Sequence, residues 1–266
     1  MSNSVQEKAV ASGFSKIYSH YEELSRSNII DRTMRNQLYS HIDRFLKPEQ
    51  RILELNSGSG IDALYFAKQG YTVLATDIAY GAKTHVEAKA KEEGILNLNF
   101  KKCSFLNLDT LEGSFDYVFS NFGGLNCTNE LSKVAEGLKN VLSDQAFVTF
   151  VIMGKYYPWD WVYLLTGKFR RALIRFKKDG TLANVEGEKV QTHYHTPKKV
   201  KEVMMENFDY VSSENLGLFF PSVNHTAITK YSKLIRLLIR IDSFMLKMKV
   251  FPIGIGDYYI ITFKKK

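Results

Sequence analysis

Residues 49–153 alternate between short apolar runs and longer segments in which apolar residues recur at helical spacing. A run of about four to eight apolar residues is typical of a buried strand, whereas a repeat every three to four residues is typical of an amphipathic helix. The predicted strands are 52–55, 71–76, 98–102, 115–120 and 146–153, and the predicted helices between them are 61–69, 81–93 and 129–142. Strands that alternate with helices predict an α/β fold with a doubly wound parallel sheet.

Two helices are predicted ahead of the first strand. Apolar residues recur at helical spacing over about 4–24 and again over about 27–46, and Pro48 marks the end of the second segment. Residues 1–48 are therefore expected to cap the core formed by residues 49–153.

The alternation stops after the fifth predicted strand. Residues 154–196 mix aromatic and basic side chains, and glycine turns at 179–180 and 186–187 predict a small antiparallel flap. Residues 197–266 then supply one more core helix, an amphipathic helix and a final strand at about 257–263. We expect the first of these segments to be an insertion and the second to complete the core.

The first strand runs into a glycine-rich turn at residues 56–60, and a helix follows. Gly58 and Gly60 allow the backbone to turn sharply and let a ligand approach closely. Strand, glycine turn and helix form the first unit of a nucleotide-binding α/β fold. The spacing from Gly58 to Ala63 also fits the dinucleotide fingerprint, so an NAD-binding oxidoreductase is an alternative.

Two acidic residues bear on which nucleotide binds. Glu54 lies four residues before Gly58. A carboxylate at that position repels a pyrophosphate but suits a cationic ligand with amine and sulfonium groups. Asp77 follows the second predicted strand, where an acid can accept hydrogen bonds from both ribose hydroxyls of an adenosine. Asp77 is compatible with either ligand, whereas Glu54 favours the cationic ligand over one with a pyrophosphate.

The segment Glu54–Gly60, together with Asp77, resembles the first motif and the ribose-binding acid of class I S-adenosylmethionine-dependent methyltransferases. The resemblance covers roughly residues 14–153 and the final strand. It implies a Rossmann-like, mostly parallel seven-stranded sheet with an antiparallel last strand. It also implies a transferase that uses S-adenosyl-L-methionine and releases S-adenosyl-L-homocysteine. Asn56 departs from the family, which usually has glycine there, but asparagine tolerates a left-handed backbone better than other residues with a side chain.

The resemblance also implies which residues meet the cofactor. They are Tyr21, Arg35, Glu54, Asn56, Ser57, Gly58, Gly60, Asp77, Ile78, Ser104, Phe105 and Asn121. Glu54 and the turn would hold the amino-acid moiety, and Asp77 the ribose. Ser104 and Phe105 occupy the family's adenine position, although the family usually has an acid in place of this serine.

Three of these residues come from the N-terminal cap and from the loop after the fourth strand. Tyr21 would cap the methionine end of the cofactor, and Arg35 would reach its carboxylate; packing and solvent exposure are the respective alternatives. Asn121 begins a loop with paired glycines and would lie beside the transferable methyl group. The alternative is a plain turn in which its amide holds backbone groups.

The insertion supplies the candidate catalytic residues, because insertions at this point shape the acceptor pocket in the resembled family. His193 and His195 lie two apart on a predicted strand and would face the same side. No third ligand has a recognisable spacing, so a metal site is not expected. An oxygen acceptor would need a base, and Tyr194 or His195 is the predicted one. A core or surface histidine is the alternative. Asn121 is the third predicted catalytic residue, on the substrate or methyl side.

Composition and charge narrow the setting. Two cysteines in 266 residues exclude a disulfide framework, and no apolar run reaches the roughly 18 residues that span a bilayer, so a cytoplasmic location is expected. Residues 1–153 carry 16 Lys and Arg against 18 Asp and Glu, whereas residues 154–266 carry 20 against 10. The basic second part suits an anionic substrate, an acidic lipid surface or nucleic acid, or it is an ordinary solvated surface.

A basic amphipathic helix is predicted at 230–249. It would form a lid over the site, or it would make a peripheral contact with an anionic membrane. The chain is thus expected to methylate an oxygen, nitrogen or sulfur nucleophile of a small molecule. An anionic or lipid-like acceptor is one form of this prediction. An RNA methyltransferase is the alternative, although no recognisable RNA-binding module favours a nucleic-acid partner.

Overall fold

The computed structural model describes residues 3–16, 25, 27–222 and 231–266. The strands are β1 (Arg51–Leu55), β2 (Thr72–Asp77), β3 (Leu98–Lys102), β4 (Phe115–Ser120), β5 (Leu142–Met153), β6 (Thr181–Val185), β7 (Glu188–Thr192), β8 (Phe208–Leu216) and β9 (Tyr258–Lys265). The helices are α1 (Asn3–Ser15), α2 (Ile29–Ile42), α3 (Ile61–Lys68), α4 (Ala82–Glu92), α5 (Leu131–Val141), α6 (Pro158–Leu165), α7 (Phe169–Ala172), α8 (Pro197–Met204) and α9 (Ser232–Met248).

Seven of these strands form one sheet in the order β3-β2-β1-β4-β5-β9-β8. Strands β1 to β5 run parallel, and β9 is antiparallel to both β5 and β8. The chain winds outward from β1 through β2 to β3 and then returns to β4, so the connections of β1 and β4 leave in opposite directions. Ligands bind at such a switch point, beyond the carboxyl ends of the strands. The predicted fold class, a Rossmann-like doubly wound sheet with an antiparallel last strand, is confirmed.

Alternate side chains of the central strands fill two cores, one on each face of the sheet. Ile52 and Tyr117 pack on the face covered by α2 and α3, whereas Leu53 and Val118 pack on the face covered by α5 and α8. The inner strands are short apolar runs in the sequence because both of their faces are buried, as expected for a parallel sheet that is covered on both sides.

The sequence pattern does not predict strand β8 or the helices α6 and α7. Strand β8 lies at the edge of the sheet, and its residues 210–214 are exposed or half-buried, so it lacks the apolar run of the inner strands. Helix α6 begins at Pro158, which suits the first helical position because proline lacks the N–H that would be unpaired there. Only an aromatic cluster was expected at α6.

The hairpin β6–β7 lies where the flap is predicted, but β7 ends at Thr192. His193 and His195 therefore follow the strand, and their prediction as strand residues is wrong. Their rings nevertheless lie on the same side, with centroids 6.2 Å apart and planes 21° apart. Tyr21, predicted as a cofactor residue, lies outside the described residues.

Helix α9 is the amphipathic helix for which a lid or a membrane contact is predicted, and the lid stays a prediction. Ile235 and Asp242 are its buried residues, and Ile235 packs into the core cluster that contains α2. The apolar side chains Leu237, Ile241 and Phe244 are exposed, whereas a lid would bury its apolar face against the site. Among the described residues, no helix combines the length and the apolar character needed to cross a bilayer.

Candidate active site

The turn after β1 adopts the conformation that its glycines predict. Gly58 and Gly60 have φ values of 55° and 75°, and Asn56 has a φ of 50°, so asparagine does take the left-handed conformation in the position of a glycine. Gly60 also allows close packing, because a Cβ there would lie 2.6 Å from a methyl carbon of Val86. The turn places the N-terminus of α3 at the carboxyl edge of the sheet.

The side chain of Asn56 ties this turn to the loop after β4. Its Nδ2 donates to the carbonyl of Asn121 at 3.1 Å, and its Oδ1 accepts from Ser120 Oγ at 2.6 Å. It also fills the space in front of Gly124, where any Cβ would overlap the amide group of Asn56. The two loops that flank the switch point are therefore locked together by a residue that departs from the family pattern.

A buried polar cluster lies next to these loops. Asp62, in the first turn of α3, pairs with Arg35, and its carboxylate accepts from Tyr39 Oη and from Asn121 Nδ2 at 2.7 Å. Arg35 also pairs with Asp31 at 2.9 Å. The sequence reasoning missed Asp62, although an acid in the first turn of a helix that follows a glycine turn is a usable signal.

Arg35 and Asn121 thus come together at the carboxyl edge of β1 and β4, where both bond to Asp62. The guanidinium of Arg35 lies 4.7 Å from the ring centre of Phe122, in the same loop as Asn121. Both side chains are buried, with Arg35 7% and Asn121 6% exposed. The cation of Arg35 is shared between two carboxylates, so its charge is largely balanced within the protein.

Three buried polar atoms at this edge have no hydrogen-bond partner among the described residues. They are Oε2 of Glu54, Oγ of Ser57 and Oδ1 of Asn121. Burial, with a further contribution from neighbouring Asp62, raises the pKa of Glu54 well above its usual range. Buried polar atoms are normally hydrogen-bonded. A cationic amine would donate to Glu54 Oε2 and Asn121 Oδ1 and would favour the ionised form of Glu54.

Asp77 lies one strand away, at the end of β2. Its Oδ2 accepts from the Gly58 N–H and its Oδ1 from the Ala79 N–H, both at 2.8 Å. Burial raises the pKa of Asp77, while these donors and the Ile78 N–H oppose that shift. Asp77 therefore holds the glycine turn in place, and a carboxylate has further lone pairs to accept from ribose hydroxyls.

The predicted adenine residues line a cavity of about 410 Å³. Its lining includes Ile78, Ser104 and Phe105 together with Glu7 and other residues of α1. Ser104 Oγ donates to Glu7 Oε1 at 2.5 Å. The volume falls within the usual range of small-ligand pockets, about 300–1,000 Å³. Helical periodicity predicts α1 but cannot show which residues it faces, so Glu7 was missed.

Helix α1 is also tied to the flap. Gln6 Nε2 donates to the carbonyls of Cys127 and Gln191 at 3.1 and 2.8 Å, and Gln6 Oε1 accepts from the Gln191 N–H at 3.0 Å. The adenine-side cavity is therefore enclosed jointly by the N-terminal helix, the loop after β4 and the insertion.

The two candidate general bases, Tyr194 and His195, lie at the end of the insertion. His195 is buried, and its Nε2 lies 2.9 Å from the carbonyl of Thr128, which makes that nitrogen the N–H donor. Burial lowers the pKa of His195 to about 4. Tyr194 is half-buried, with its ring centre 5.3 Å from the guanidinium of Arg175. Tyr194 and His195 stay predictions as catalytic groups.

Residues 52–145 match a family model described as a methyltransferase domain. This part of the chain is a methyltransferase domain. No curated protein sequence matches the chain. The predicted assignment to the methyltransferases, and hence to enzymes, is confirmed by this match together with the fold.

Solved structures of methyltransferases share the fold. One is a S-adenosylmethionine-dependent methyltransferase of Methanosarcina mazei, with a TM-score of 0.59 and 20% identity over 84% of this chain and 96% of that one. A second is 1,6-didemethyltoxoflavin-N1-methyltransferase of Burkholderia thailandensis, solved with its substrate and S-adenosylhomocysteine (TM-score 0.57, 16% identity, 97% and 88% covered). A third is geranyl diphosphate C-methyltransferase of Streptomyces coelicolor A3(2), solved with S-adenosyl-L-homocysteine (TM-score 0.56, 11% identity, 87% and 79% covered).

Proposed function

We propose that this methyltransferase moves the methyl group of S-adenosyl-L-methionine to an oxygen, nitrogen or sulfur nucleophile of a small molecule. The observation that carries the proposal is the set of unpaired buried acceptors, Glu54 Oε2 and Asn121 Oδ1, at the switch point of a methyltransferase domain. They are suited to an ammonium group, which the methionine moiety of the cofactor supplies. Structural neighbours that hold S-adenosylhomocysteine support the same choice.

The remaining cofactor roles follow the positions of the side chains. Glu54 and the 56–60 turn hold the amino-acid moiety, Asp77 the ribose, and Ile78, Ser104 and Phe105 the adenine. For Arg35 we propose a different role from the predicted contact with the cofactor carboxylate. Its pairs with two aspartates suggest that it positions Asp62, which in turn orients Asn121.

The protein contributes mainly by orientation. The sulfonium centre of the bound cofactor supplies an activated methyl group for in-line displacement. Asn121 and the loop after β4 would align that group, and the enclosing α1 and flap would exclude water. Alignment of two reactants to about 3–3.5 Å can supply roughly 7–11 kcal/mol of the barrier reduction.

His195 fits the role of general base less well than predicted. A base works best when its pKa is close to the working pH, and burial places the pKa of His195 at about 4. Its N–H also holds the Thr128 carbonyl. We propose that His195 fastens the insertion to the loop after β4, and that Tyr194 or the acceptor itself provides the base where one is needed.

An NAD-binding oxidoreductase is not favoured, since the carboxylate of Glu54 would face a pyrophosphate. Isothermal titration with S-adenosylhomocysteine and with NADH separates the two. We expect S-adenosylhomocysteine alone to bind, and Asp77→Ala to weaken it about 100-fold or more, since two hydrogen bonds to a charged group are each worth about 1.5–3 kcal/mol.

Asp109→Ala is the matched control, because Asp109 is exposed and lies outside the proposed site. A thermal melt of each variant shows that it is folded. Unchanged affinity in folded Asp77→Ala would rule out the ribose role, and binding of NADH alone would overturn the proposed cofactor.

A further inference from the structure

Helix α9 has three faces along its length. One face, which includes Ile235 and Asp242, is buried against the domain. A second is an exposed apolar stripe with three- and four-residue spacing: Leu234, Leu237, Ile241, Phe244 and Met248. Leu237 is 53% and Phe244 61% exposed. Soluble proteins seldom leave a continuous apolar row exposed, so this stripe calls for a partner.

The third face is a basic stripe directly beside the apolar one. It consists of Lys233, Arg236, Arg240 and Lys247, spaced by three, four and seven residues, and all four side chains are exposed. None of them is within ion-pair distance of a carboxylate in the part of the chain that the structure describes. The sole acid of α9 is Asp242, which is buried and accepts from the N–H groups of Leu218 and Phe219.

A second basic and apolar surface lies on helices α6 and α7. Helices α6 and α7 expose large apolar side chains and cations in one short stretch: Trp161, Leu165, Phe169 and Leu173, with Lys168, Arg170 and Arg171. Helices α6 and α9 are both anchored to the backbone of Phe219. Trp159 of α6 donates to the Phe219 carbonyl at 3.0 Å, and Asp242 of α9 accepts from the Phe219 N–H at 2.8 Å.

The segment that anchors both helices begins at the edge of the sheet where the candidate active site is found. Leu216, at the end of β8, pairs with Tyr258, and Tyr258 pairs with Met153 at the end of β5. Tyr258 also contacts the ring of Phe122, in the loop that begins with Asn121. The segment that anchors α6 and α9 therefore follows a strand end next to the candidate active site.

We infer that the exposed faces of α9 and of α6–α7 form a docking surface for an anionic lipid membrane. An apolar stripe flanked by cations is the arrangement with which a helix lies in a membrane interface, its apolar side chains among the acyl chains and its cations against acidic headgroups. A groove of about 840 Å³ opens beside α9 and offers room for a headgroup. Its lining includes the cations Arg44, Lys247 and Lys249 and one carboxylate, Glu214, which pairs with Arg44.

Charge favours the membrane over a second copy of the chain. Pairing two α9 helices through their apolar stripes would bring the two basic stripes side by side, with no acid on the helix surface to balance them. An anionic surface has the complementary charge. If the proposed methyl transfer is also correct, docking would present the active site to amphiphilic acceptors dissolved in the bilayer.

Sedimentation with lipid vesicles tests the docking without cofactor or acceptor. The full-length protein is mixed with vesicles of pure phosphatidylcholine and with vesicles that contain phosphatidylserine. We expect binding to the anionic vesicles only, weakening as salt is raised. Arg236→Glu combined with Arg240→Glu should lower the affinity at least 25-fold, since each cation near such a surface is worth about 1 kcal/mol, or about fivefold. Leu237→Ser combined with Phe244→Ser should lower it at least tenfold.

The matched controls are exposed residues away from this surface. Leu96→Ser with Met205→Ser removes two exposed apolar side chains near the opposite edge of the sheet, and Lys133→Glu with Lys139→Glu reverses two exposed cations on α5. Both should bind vesicles like the wild type.

Equal effects of the control and test variants would overturn membrane docking, as would equal binding to neutral vesicles. A dimer in analytical ultracentrifugation that Leu237→Ser with Phe244→Ser dissociates, without vesicle binding, would assign the stripe to a second copy. Salt-sensitive binding of RNA, again without vesicle binding, would assign the cations to nucleic acid. Because affinity for S-adenosylhomocysteine is measured separately, failure of docking leaves the proposed methyl transfer standing.

Discussion

The lock between Asn56 and Gly124 makes a sharp prediction about Gly124→Ala. Gly124 does not have a positive φ, so alanine can adopt its backbone conformation. The added Cβ would instead overlap the amide of Asn56 and force that side chain away from Asn121 and Ser120.

The expected magnitude follows from these contacts. Loss of two hydrogen bonds costs about 1 kcal/mol each, and an overpacked methyl group typically costs about 1–3 kcal/mol, so Gly124→Ala should lower the free energy of unfolding by roughly 3–5 kcal/mol. Asn56→Gly loses the same hydrogen bonds but relieves the left-handed strain of a residue with a side chain, which is worth about 1 kcal/mol or more. It should therefore cost about 1 kcal/mol.

The double variant, Asn56→Gly with Gly124→Ala, shows whether the overlap with Asn56 causes the loss of stability. With glycine at position 56 the space in front of Gly124 is empty, so Gly124→Ala should then cost less than about 0.5 kcal/mol, giving a coupling energy of at least about 2.5 kcal/mol. Urea unfolding followed by circular dichroism, without cofactor, measures all four proteins. If Gly124→Ala costs the same in both backgrounds, the contact between Asn56 and Gly124 does not limit the loop, and the reasoning is refuted.

Three further predictions concern buried charges. Asp62→Ala removes one of the two carboxylates that pair with Arg35 and should cost about 3–5 kcal/mol in urea unfolding; a loss below 1 kcal/mol would contradict a buried network. Burial raises the pKa of Asp242 from 3.8 to about 6, so the unfolded chain loses this proton at a lower pH than the folded chain does. The free energy of unfolding therefore falls as the pH rises from about 4 to 6, by about 3 kcal/mol relative to Asp242→Asn. Parallel pH profiles of the two proteins would refute that assignment. Burial lowers the pKa of His195 from 6.5 to about 4, so the unfolded chain binds this proton at a higher pH than the folded chain does. The free energy of unfolding therefore falls as the pH drops from about 6.5 to about 4. His195→Gln should flatten this part of the unfolding profile, and an unaltered slope would exclude His195 as its source.

The sequence determined the glycine turn and the alternating core, because both depend on local chemistry. Gly58 and Gly60 take left-handed conformations that few other residues reach, and the inner strands are apolar on both faces. The same local rules miss β8, because an edge strand exposes one side and loses the apolar run that marks it. They also misplace His193 and His195, since nothing in the residue types shows that pairing in the hairpin stops at Thr192.

What surrounds the turn was decided by the tertiary structure. Which residues share a cavity depends on the packing of elements far apart in the chain, as when Glu7 of α1 meets Ser104 beyond β3. The partition of Arg35 between Asp31 and Asp62 depends likewise on α2 lying against α3. The 230–249 segment shows the same division most clearly. Its periodicity determined that it is an amphipathic helix, but only the packing of Ile235 and Asp242 decided which face is buried and left the apolar stripe exposed beside the cations.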